Sequence, residues 1–241
     1  MKAVIIAAGK GVRLKPITEQ IPKCMVAIKG KPMLELIMER IIGAGAEEIN
    51  LIVGYKKEII EDHFGAEFNG VKLNYFVQKE QKGTAHAVSL AEKYVGEKFL
   101  VANGDVLTST ANYKKLLETD EFEKVDGLIL ARKVNDPWRY GVLKTEEKKV
   151  RDIIEKPLPG EEPGNLINAG IYRFKSDLFE SIKETKLSER NEYEIVDSIK
   201  NYMAKGKDVE FRMCEGTCLD IGDLDDLKRA NTMLDELFPK Q

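Results

Sequence analysis

The feature that most constrains this chain is its N-terminal stretch, where a short apolar run leads directly into a glycine loop and then into spaced cations. Residues 2–7 have the apolar, β-rich composition of a buried strand. Gly9 and Gly11 allow the backbone to approach a ligand closely and to point successive N–H groups at it. Arg13 and Lys23 follow within one short segment. This order predicts a triphosphate site directly after the first strand.

Two common phosphate-binding glycine motifs do not match this loop. The dinucleotide fingerprint G-x-G-x-x-G needs a third glycine where the chain has Leu14, and the P-loop pattern G-x-x-x-x-G-K-[ST] is absent. The complete string, A-A-G-x-G-x-R-L-x-P-x-T-x-x-x-P-K-x-M, instead resembles the signature of the sugar-1-phosphate nucleotidylyltransferases. Members of that family join a nucleoside triphosphate to a sugar 1-phosphate and release pyrophosphate.

Strands and helices alternate in the first half of the sequence. Apolar patterns predict further strands at 49–53, 71–77 and 98–102 and helices at 33–42, 56–64 and 83–94. This rhythm predicts a parallel, doubly wound α/β sheet with helices on both faces. The second half has shorter, charged strand patterns at 127–131, 141–144, 150–155, 167–174 and 209–213, and helices at 176–183, 192–204 and 223–238. These strand patterns suggest an antiparallel extension.

The resemblance covers residues 2 to about 231 and implies a three-layer, Rossmann-like nucleotide-diphospho-sugar transferase fold. Its sheet would be mixed but mostly parallel, with an antiparallel sugar-binding extension. We expect one nucleotidyltransferase domain over residues 1–241. Residues 1–125 would mainly bind the nucleotide, residues 126–220 would mainly bind the sugar phosphate, and residues 221–241 would form a C-terminal helix. Many family members continue into a C-terminal β-helix, and we expect this chain to lack it.

Two aspartates are candidate ligands for Mg²⁺. Gly104 and Asp105 follow the predicted strand at 98–102. In open α/β sheets ligands bind at the carboxyl ends of the strands, so Asp105 is well placed. A D-x-G segment late in the chain supplies a metal ligand in the resembled family, and Asp220 matches it, after the last predicted strand. Mg²⁺ binds one or two carboxylates together with phosphate oxygens and water, so this pair would suffice.

Residues 78–85 resemble the nucleobase segment of the family, Q-x(4)-G-T-A. The Gln78 amide presents a donor beside an acceptor, which complements the N3–H and O4 edge of uracil or thymine. It also fits the N1–H and O6 edge of guanine, whereas cytosine fits less well. We expect the Gly83 backbone to approach the base. The residues implied to bind the nucleotide are Ala7, Ala8, Gly9, Gly11, Arg13, Lys23, Gln78, Gly83, Thr84, Gly104 and Asp105.

Four later segments resemble the sugar site of the family: Y-G-V at 140–142, E-K-P at 155–157, N-x-G-[IV]-Y at 168–172 and E-Y-E-[IL] at 192–195. The sugar-binding residues that they imply are Gly141, Glu155, Lys156, Asn168 and Glu194. Val196 stands where most members have Thr, so the chain departs from the pattern next to Glu194. The implied catalytic cations are Arg13 and Lys23, facing the β- and γ-phosphates, and Lys156, which would hold the sugar phosphate.

Charge and cysteine content limit the kinds of partner and the cellular compartment that we expect. A net charge of −3 argues against nucleic acid, which usually requires a strongly basic face. No apolar run approaches ~18 residues, so we expect no membrane partner and a cytoplasmic location. Cys24, Cys214 and Cys218 are interpreted as buried or inert thiols of a reducing compartment. The oligomeric state is left open, with a homo-oligomer among the options.

The choice of substrates remains open within the family. Glucose 1-phosphate with UTP or dTTP is favoured, and mannose-1-phosphate guanylyltransferase is the alternative. A non-catalytic subunit that senses nucleotide sugars is a second alternative, although the predicted cations and carboxylates are all present. A glycosyltransferase would usually carry D-x-D where this chain has Asn103-Gly104-Asp105.

Overall fold

A ten-stranded mixed sheet forms the centre of the computed structural model, which describes residues 1–117 and 125–237, without the side chains of 234–237. The strands of this sheet and of two small sheets are β1 (Lys2–Ile6), β2 (Ala27–Ile28), β3 (Lys31–Pro32), β4 (Glu48–Val53), β5 (Glu67–Phe68), β6 (Val71–Val77), β7 (Lys98–Asn103), β8 (Val106–Thr108), β9 (Gly127–Lys133), β10 (Gly141–Glu146), β11 (Lys149–Glu155), β12 (Leu166–Lys175), β13 (Val209–Met213) and β14 (Cys218–Asp220). The helices are α1 (Met33–Gly43), α2 (Lys57–Phe64), α3 (Thr84–Ser89), α4 (Thr110–Leu117), α5 (Leu178–Lys183), α6 (Ile195–Ala204) and α7 (Leu224–Leu237).

The order of the large sheet is β10-β11-β13-β9-β12-β7-β1-β4-β6-β5. Strands β7, β1, β4 and β6 are parallel neighbours, which confirms the parallel first half. Strand β12 is antiparallel to both β7 and β9, and β11 is antiparallel to β10 and β13. The antiparallel extension is therefore confirmed, with β13 beside β9 as a parallel exception.

Two hydrophobic cores cover the two faces of the sheet. Along β1, Ala3 and Ile5 belong to one core and Val4 belongs to the other, because successive strand residues point to opposite faces. The first core takes side chains from α1, α2 and α4, and the second takes them from α3, α5 and α6. This arrangement gives the three predicted layers.

The structure differs from the sequence predictions at several elements. The helix predicted at 83–94 is shorter, because Gly83 has a non-helical φ of 101° and the chain tightens after Ser89 into a 3₁₀ turn at Glu92–Tyr94. Asp220 does not follow the last strand but ends β14, which pairs with β8. Strands of three residues carry too little pattern to be seen in sequence.

Two predicted segments include residues that the structure does not describe. Residues 118–124 and 238–241, which belong to the predicted nucleotide half and C-terminal helix, lie outside the described residues. Within the part of the chain that is described, no helix is both long and apolar enough to cross a membrane.

Candidate active site

Two adjoining cavities open at the carboxyl ends of β1 and β7. The large cleft, of about 390 Å³, is lined by all five predicted sugar residues, namely Gly141, Glu155, Lys156, Asn168 and Glu194, and also by Arg13 and Asp220. The small pocket, of about 160 Å³, is lined by Ala7, Gly9, Lys23, Gly104 and Asp105. Thr84 and Asn103 line both cavities and therefore form the wall between them. Of the predicted residues, Ala8, Gly11, Gln78 and Gly83 line neither of the two.

The glycine loop after β1 is shaped by packing as well as by space for a ligand. Gly11 has a φ of 64°, and a Cβ there would lie 2.7 Å from the Cβ of Lys23. Thr18 fixes this turn by donating its hydroxyl to the Gly11 carbonyl at 2.8 Å. A Cβ on Gly9 would meet nothing within 4 Å. Gly9 therefore faces open space, whereas Gly11 allows Lys23 to pack against the loop.

The two predicted metal ligands are brought together by strand pairing. Asp220 is the register partner of Val106, which directly follows Asp105, and the Ile221 amide donates to the Asp105 carbonyl at 2.9 Å. Burial, together with the charge of Asp105, raises the pKa of Asp220 to about 6. Lys23 Nζ lies 2.5 Å from Asp105 Oδ2 and opposes that rise.

This donor set fits a divalent cation. A buried carboxylate whose pKa is raised by a second carboxylate lies at a point of excess negative charge, which a cation would neutralise. Among the described residues there is no cluster of three or more His, Cys, Asp or Glu side chains that could hold a metal. The candidate ligands are these two carboxylates, a number that Mg²⁺ accepts when phosphate oxygens and water complete its shell.

The Gln78 side chain forms hydrogen bonds with residues of the segment that follows it. It is 5% exposed, and its amide nitrogen donates to the Gly83 carbonyl and contacts His86 Nδ1, both at 3.0 Å. Burial, with the charge of Lys82, lowers the pKa of His86, which favours a neutral ring that accepts at Nδ1. Both amide protons thus have partners within the loop, and base recognition by Gln78 stays a prediction.

Gly83 is required by a contact that the sequence did not reveal. A Cβ at this position would lie 2.4 Å from the Tyr193 carbonyl oxygen, so the missing side chain admits backbone from the segment at 192–195. The Tyr193 amide donates to the Lys82 carbonyl and the Tyr193 carbonyl accepts from Ala85, each at 2.8 Å. The Ile195 amide donates to the Thr84 hydroxyl at 2.9 Å. The predicted nucleobase segment and the predicted sugar segment therefore form one hydrogen-bonded unit.

Arg190 pairs with the carboxylates that are predicted to bind the sugar. The sequence motifs did not identify this arginine. It donates from Nε and Nη2 to one oxygen of buried Glu194, at 3.0 and 2.5 Å, and its Nη1 lies 3.9 Å from Glu155. Burial raises the pKa of Glu155, with Glu194 and Asp197 acting in the same direction and Lys156 and Arg190 opposing it. The sequence did contain a signal for Arg190. Two neighbouring carboxylates need a cation, and Arg190 lies four residues before Glu194.

Asn168 and Lys156 are held by special backbone geometry. Asn168 lies at an irregularity in the pairing of β12, where its amide donates to the Tyr172 hydroxyl at 2.6 Å and its oxygen accepts from the Gly170 amide at 2.8 Å. Lys156 is exposed at the cleft and has a φ of 47°, a conformation that non-glycine residues rarely adopt. Such strained residues concentrate at functional sites.

Two further arginines line the large cleft, Arg132 and Arg139. Arg139 lies 3.0 Å from Asp136 and 3.6 Å from Asp223, so it bridges the turn before β10 and the turn before α7. Neither arginine was singled out in sequence, because no motif contains them.

Comparison with known proteins is consistent with these cavities. Residues 2–236 match the nucleotidyl transferase family. A UTP–glucose-1-phosphate uridylyltransferase, AglF of Haloferax volcanii, is 37% identical over 239 residues, which cover 98% of this chain and 97% of the relative. The bifunctional protein GlmU of Methanocaldococcus jannaschii is 40% identical over 97% of this chain, which spans only 54% of that relative.

A solved structure shows the same architecture. A Bacillus anthracis protein provisionally assigned as a glucose-1-phosphate thymidylyltransferase, in complex with a sucrose, superposes with a TM-score of 0.87. The two proteins are 31% identical, and the match covers 97% of this chain and 94% of the other.

Proposed function

The chain belongs to the nucleotidyl transferase family and is a sugar-1-phosphate nucleotidylyltransferase that makes an NDP-sugar, and we propose that it uses glucose 1-phosphate with UTP or dTTP. The observation that supports a transfer between two bound phosphates is the pair of cavities that meet at Thr84 and Asn103. One cavity would hold the triphosphate and the other would hold the sugar phosphate. The two reacting phosphates would then meet beside the carboxylate pair.

The proposed reaction is an in-line phosphoryl-type transfer, in which positioning and charge compensation do most of the work. The sugar phosphate is already an anion at pH 7, because its second pKa is ~6, so it needs no general base. One of its oxygens attacks the α-phosphorus and pyrophosphate departs. Lys156 and Arg190 would hold the sugar phosphate and orient Glu155 and Glu194 toward the sugar hydroxyls.

The leaving group would be neutralised from the small pocket. Lys23 is paired with Asp105, and exchanging that partner for a phosphate oxygen would bring its charge to the pyrophosphate. Arg13, which lines the large cleft, would reach the phosphates from that side. When bound, Mg²⁺ would supply charge neutralisation to the α-phosphate, and Asp105 and Asp220 are the residues that would hold it.

The preference for glucose rests on the full-length likeness to the uridylyltransferase, while the likeness to GlmU leaves the acceptor sugar unassigned. The decisive experiment is a matrix of UTP, dTTP, GTP, CTP and ATP against glucose, mannose, N-acetylglucosamine and galactose 1-phosphates, with Mg²⁺ present and pyrophosphate release as the readout. The best pair should be UTP or dTTP with glucose 1-phosphate. If GTP with mannose 1-phosphate were best, the guanylyltransferase alternative would replace this proposal.

A further inference from the structure

Cys214 and Cys218 lie at the two ends of the turn that joins β13 to β14, on either side of Thr108. Thr108 is the register partner of Cys218 in the β8–β14 pair, and its hydroxyl lies 3.8 Å from Cys214 Sγ. Gly216, with a φ of 65°, reverses the chain between them. The tertiary fold therefore presents two of the three cysteines as a facing pair.

A fully buried amide holds this turn in place. Asn112 Nδ2 donates to Cys214 Sγ at 3.1 Å and to the Glu215 carbonyl at 2.9 Å, and its Oδ1 accepts from the Glu215 amide at 2.9 Å. Thr108 donates to the Thr217 carbonyl at 3.1 Å. The position of the Cys214 sulfur is thus set by side chains from β8 and α4, and strand pairing with Thr108 sets the position of Cys218.

The two thiols differ in reactivity from Cys24. The hydrogen bond from Cys218 lowers the pKa of Cys214, and the Thr108 hydroxyl and the charges of Lys115 and Arg132 act in the same direction against burial. Cys214 is half-buried and Cys218 is 7% exposed, so an oxidant can reach the first before the second. Cys24 is 3% exposed, and burial raises its pKa to about 12, which makes it unreactive.

We propose that Cys214 and Cys218 form a redox modification site, in which a peroxide converts the thiol pair into a reversible disulfide. The Cys214 thiolate attacks one peroxide oxygen, gains that oxygen as sulfenic acid and releases hydroxide when the substrate is hydrogen peroxide. The Cys218 thiol then attacks the oxidised sulfur, the S–S bond forms and water leaves. Sulfur loses two electrons in total and peroxide gains them. A small dithiol reverses the change by thiol–disulfide exchange.

Oxidation would be felt at the predicted metal carboxylates. Cys218 begins the three-residue strand that ends at Asp220, and that strand pairs with β8 next to Asp105. Forming the S–S bond would draw the two ends of the turn together, against its hydrogen bonds to Asn112 and Thr108. A displacement of ~1 Å at a reacting centre can lower a rate ~10²-fold, so we expect a loss of that order.

To test this proposal, the purified chain is treated with hydrogen peroxide in the presence of EDTA. The peroxide is then removed and Mg²⁺ is restored. Free thiols, peptide masses and pyrophosphate release are measured. The free thiols should fall from three per chain to one. The peptides carrying Cys214 and Cys218 should be joined with the loss of two hydrogens, and Cys24 should stay reduced. Activity should fall ~10²-fold and return with dithiothreitol.

Cys214→Ser and Cys218→Ser are the matched variants, and Cys214→Ser is the safer one because serine keeps a group that accepts from Asn112. Each variant should start with the activity of the parent chain, form no intramolecular disulfide and keep its activity after the same treatment. Three free thiols remaining in the parent chain would overturn the proposal. An equal activity loss in Cys214→Ser would overturn it as well. The thiol count and peptide masses do not depend on which sugar or nucleotide is used.

Discussion

The small pocket and the large cleft hold their charges differently. In the small pocket one cation, Lys23, is committed to one carboxylate, Asp105, at 2.5 Å. In the large cleft Arg190 is shared between Glu194 and Glu155, and Lys156 stands exposed at the rim. A ligand entering the small pocket must exchange partners, whereas a ligand entering the cleft joins a network that already exists. Substitutions in the two cavities should therefore differ in which substrate they affect, and Asp105 and Asp220, one in the lining of each cavity, should matter for both.

The strongest test of this contrast is Asp105→Asn and Asp220→Asn. Each removes one of two predicted metal ligands, so turnover should fall by ~10³-fold or more while the thermal unfolding temperature stays close to that of the parent chain. Asp225→Asn is the control, since Asp225 is exposed in the same C-terminal segment and pairs only with Lys228 among the described residues. Either variant keeping near-parental kcat at saturating Mg²⁺ would refute the paired-ligand prediction.

The division between the cavities is tested by Lys23→Ala and Lys156→Ala. Each should lower the rate by ~10²–10³-fold, as loss of a comparable electrostatic group does. Lys23→Ala should mainly raise the KM for the nucleoside triphosphate, and Lys156→Ala should mainly raise the KM for the sugar phosphate. Full kinetics with both substrates varied will separate the two effects. Equal defects toward both substrates in both variants would show that the cavities do not divide the phosphates.

Gly83→Ala tests whether the two regions are mechanically joined. The new Cβ would meet the Tyr193 carbonyl oxygen at 2.4 Å, so it should disturb the segment that carries Glu194. We expect a loss of about 1–3 kcal/mol in stability and higher KM values for both substrates. Gly160→Ala is a matched control, because Gly160 also has a positive φ, of 92°, but a Cβ there would meet nothing within 4 Å. Selective damage to nucleotide binding alone would argue that the regions are independent.

Gln78→Ala addresses base selection. A mispaired buried donor or acceptor costs about 1–3 kcal/mol, so the parent chain should use CTP roughly ten- to a hundredfold less well than its best nucleotide. The variant should lose part of that discrimination while its best rate falls less, since the amide also holds Gly83 and His86. The ratio of kcat/KM values for UTP and CTP measures this. An unchanged ratio would remove Gln78 from base recognition and leave it a purely structural role.

The smallest effect concerns the ionisation of Glu155. Burial raises its pKa in the folded chain above the ordinary value of 4.5, so ionising Glu155 costs stability. That cost is absent well below pH 4.5, grows as the pH rises past 4.5 and is complete above the folded pKa. Glu155→Gln should therefore raise the free energy of unfolding of the ligand-free chain at pH 7, by no more than about 0.5 kcal/mol.

Denaturant titrations of Glu155→Gln at pH 4 and pH 7, beside the exposed Glu161→Gln as control, will check this expectation. The gain should shrink toward zero at the lower pH. A gain that is equal at both pH values would mean that the carboxylate charge is not its cause.

The N-terminal half was predicted well because its signals are local. A buried parallel strand has a continuous apolar run, as at residues 3–6 of β1, and the glycine loop is recognised from spacing within a few positions. The motifs also predicted five residues that line the large cleft, although these come from antiparallel strands and from the N-terminus of α6. The missed features are non-local. Strands β8 and β14 stabilise each other across more than a hundred positions, and neither has a pattern of its own.

The difference between local and non-local signals also explains why the contacts of Gly83 and Arg190 were not predicted. Gly83 makes room for the backbone of Tyr193, and no spacing within the Gln78 loop could reveal that. Arg190 became a member of the site only when folding placed it between Glu155 and Glu194. The facing of Cys214 and Cys218 likewise depends on Asn112, which reaches the turn from α4.

By itself, the sequence determined the family, the α/β class and many of the residues that line the two cavities, because these follow from periodicity and from short motifs along the chain. Only the tertiary structure determined which charged side chains form ion pairs and which glycines are required by packing. It also decided that the segments of Gln78 and Glu194 act as one hydrogen-bonded unit. The physical reason is that ion pairs, steric exclusion and buried hydrogen bonds depend on distances of a few ångströms between residues far apart in sequence, and those distances exist only once the sheet has formed.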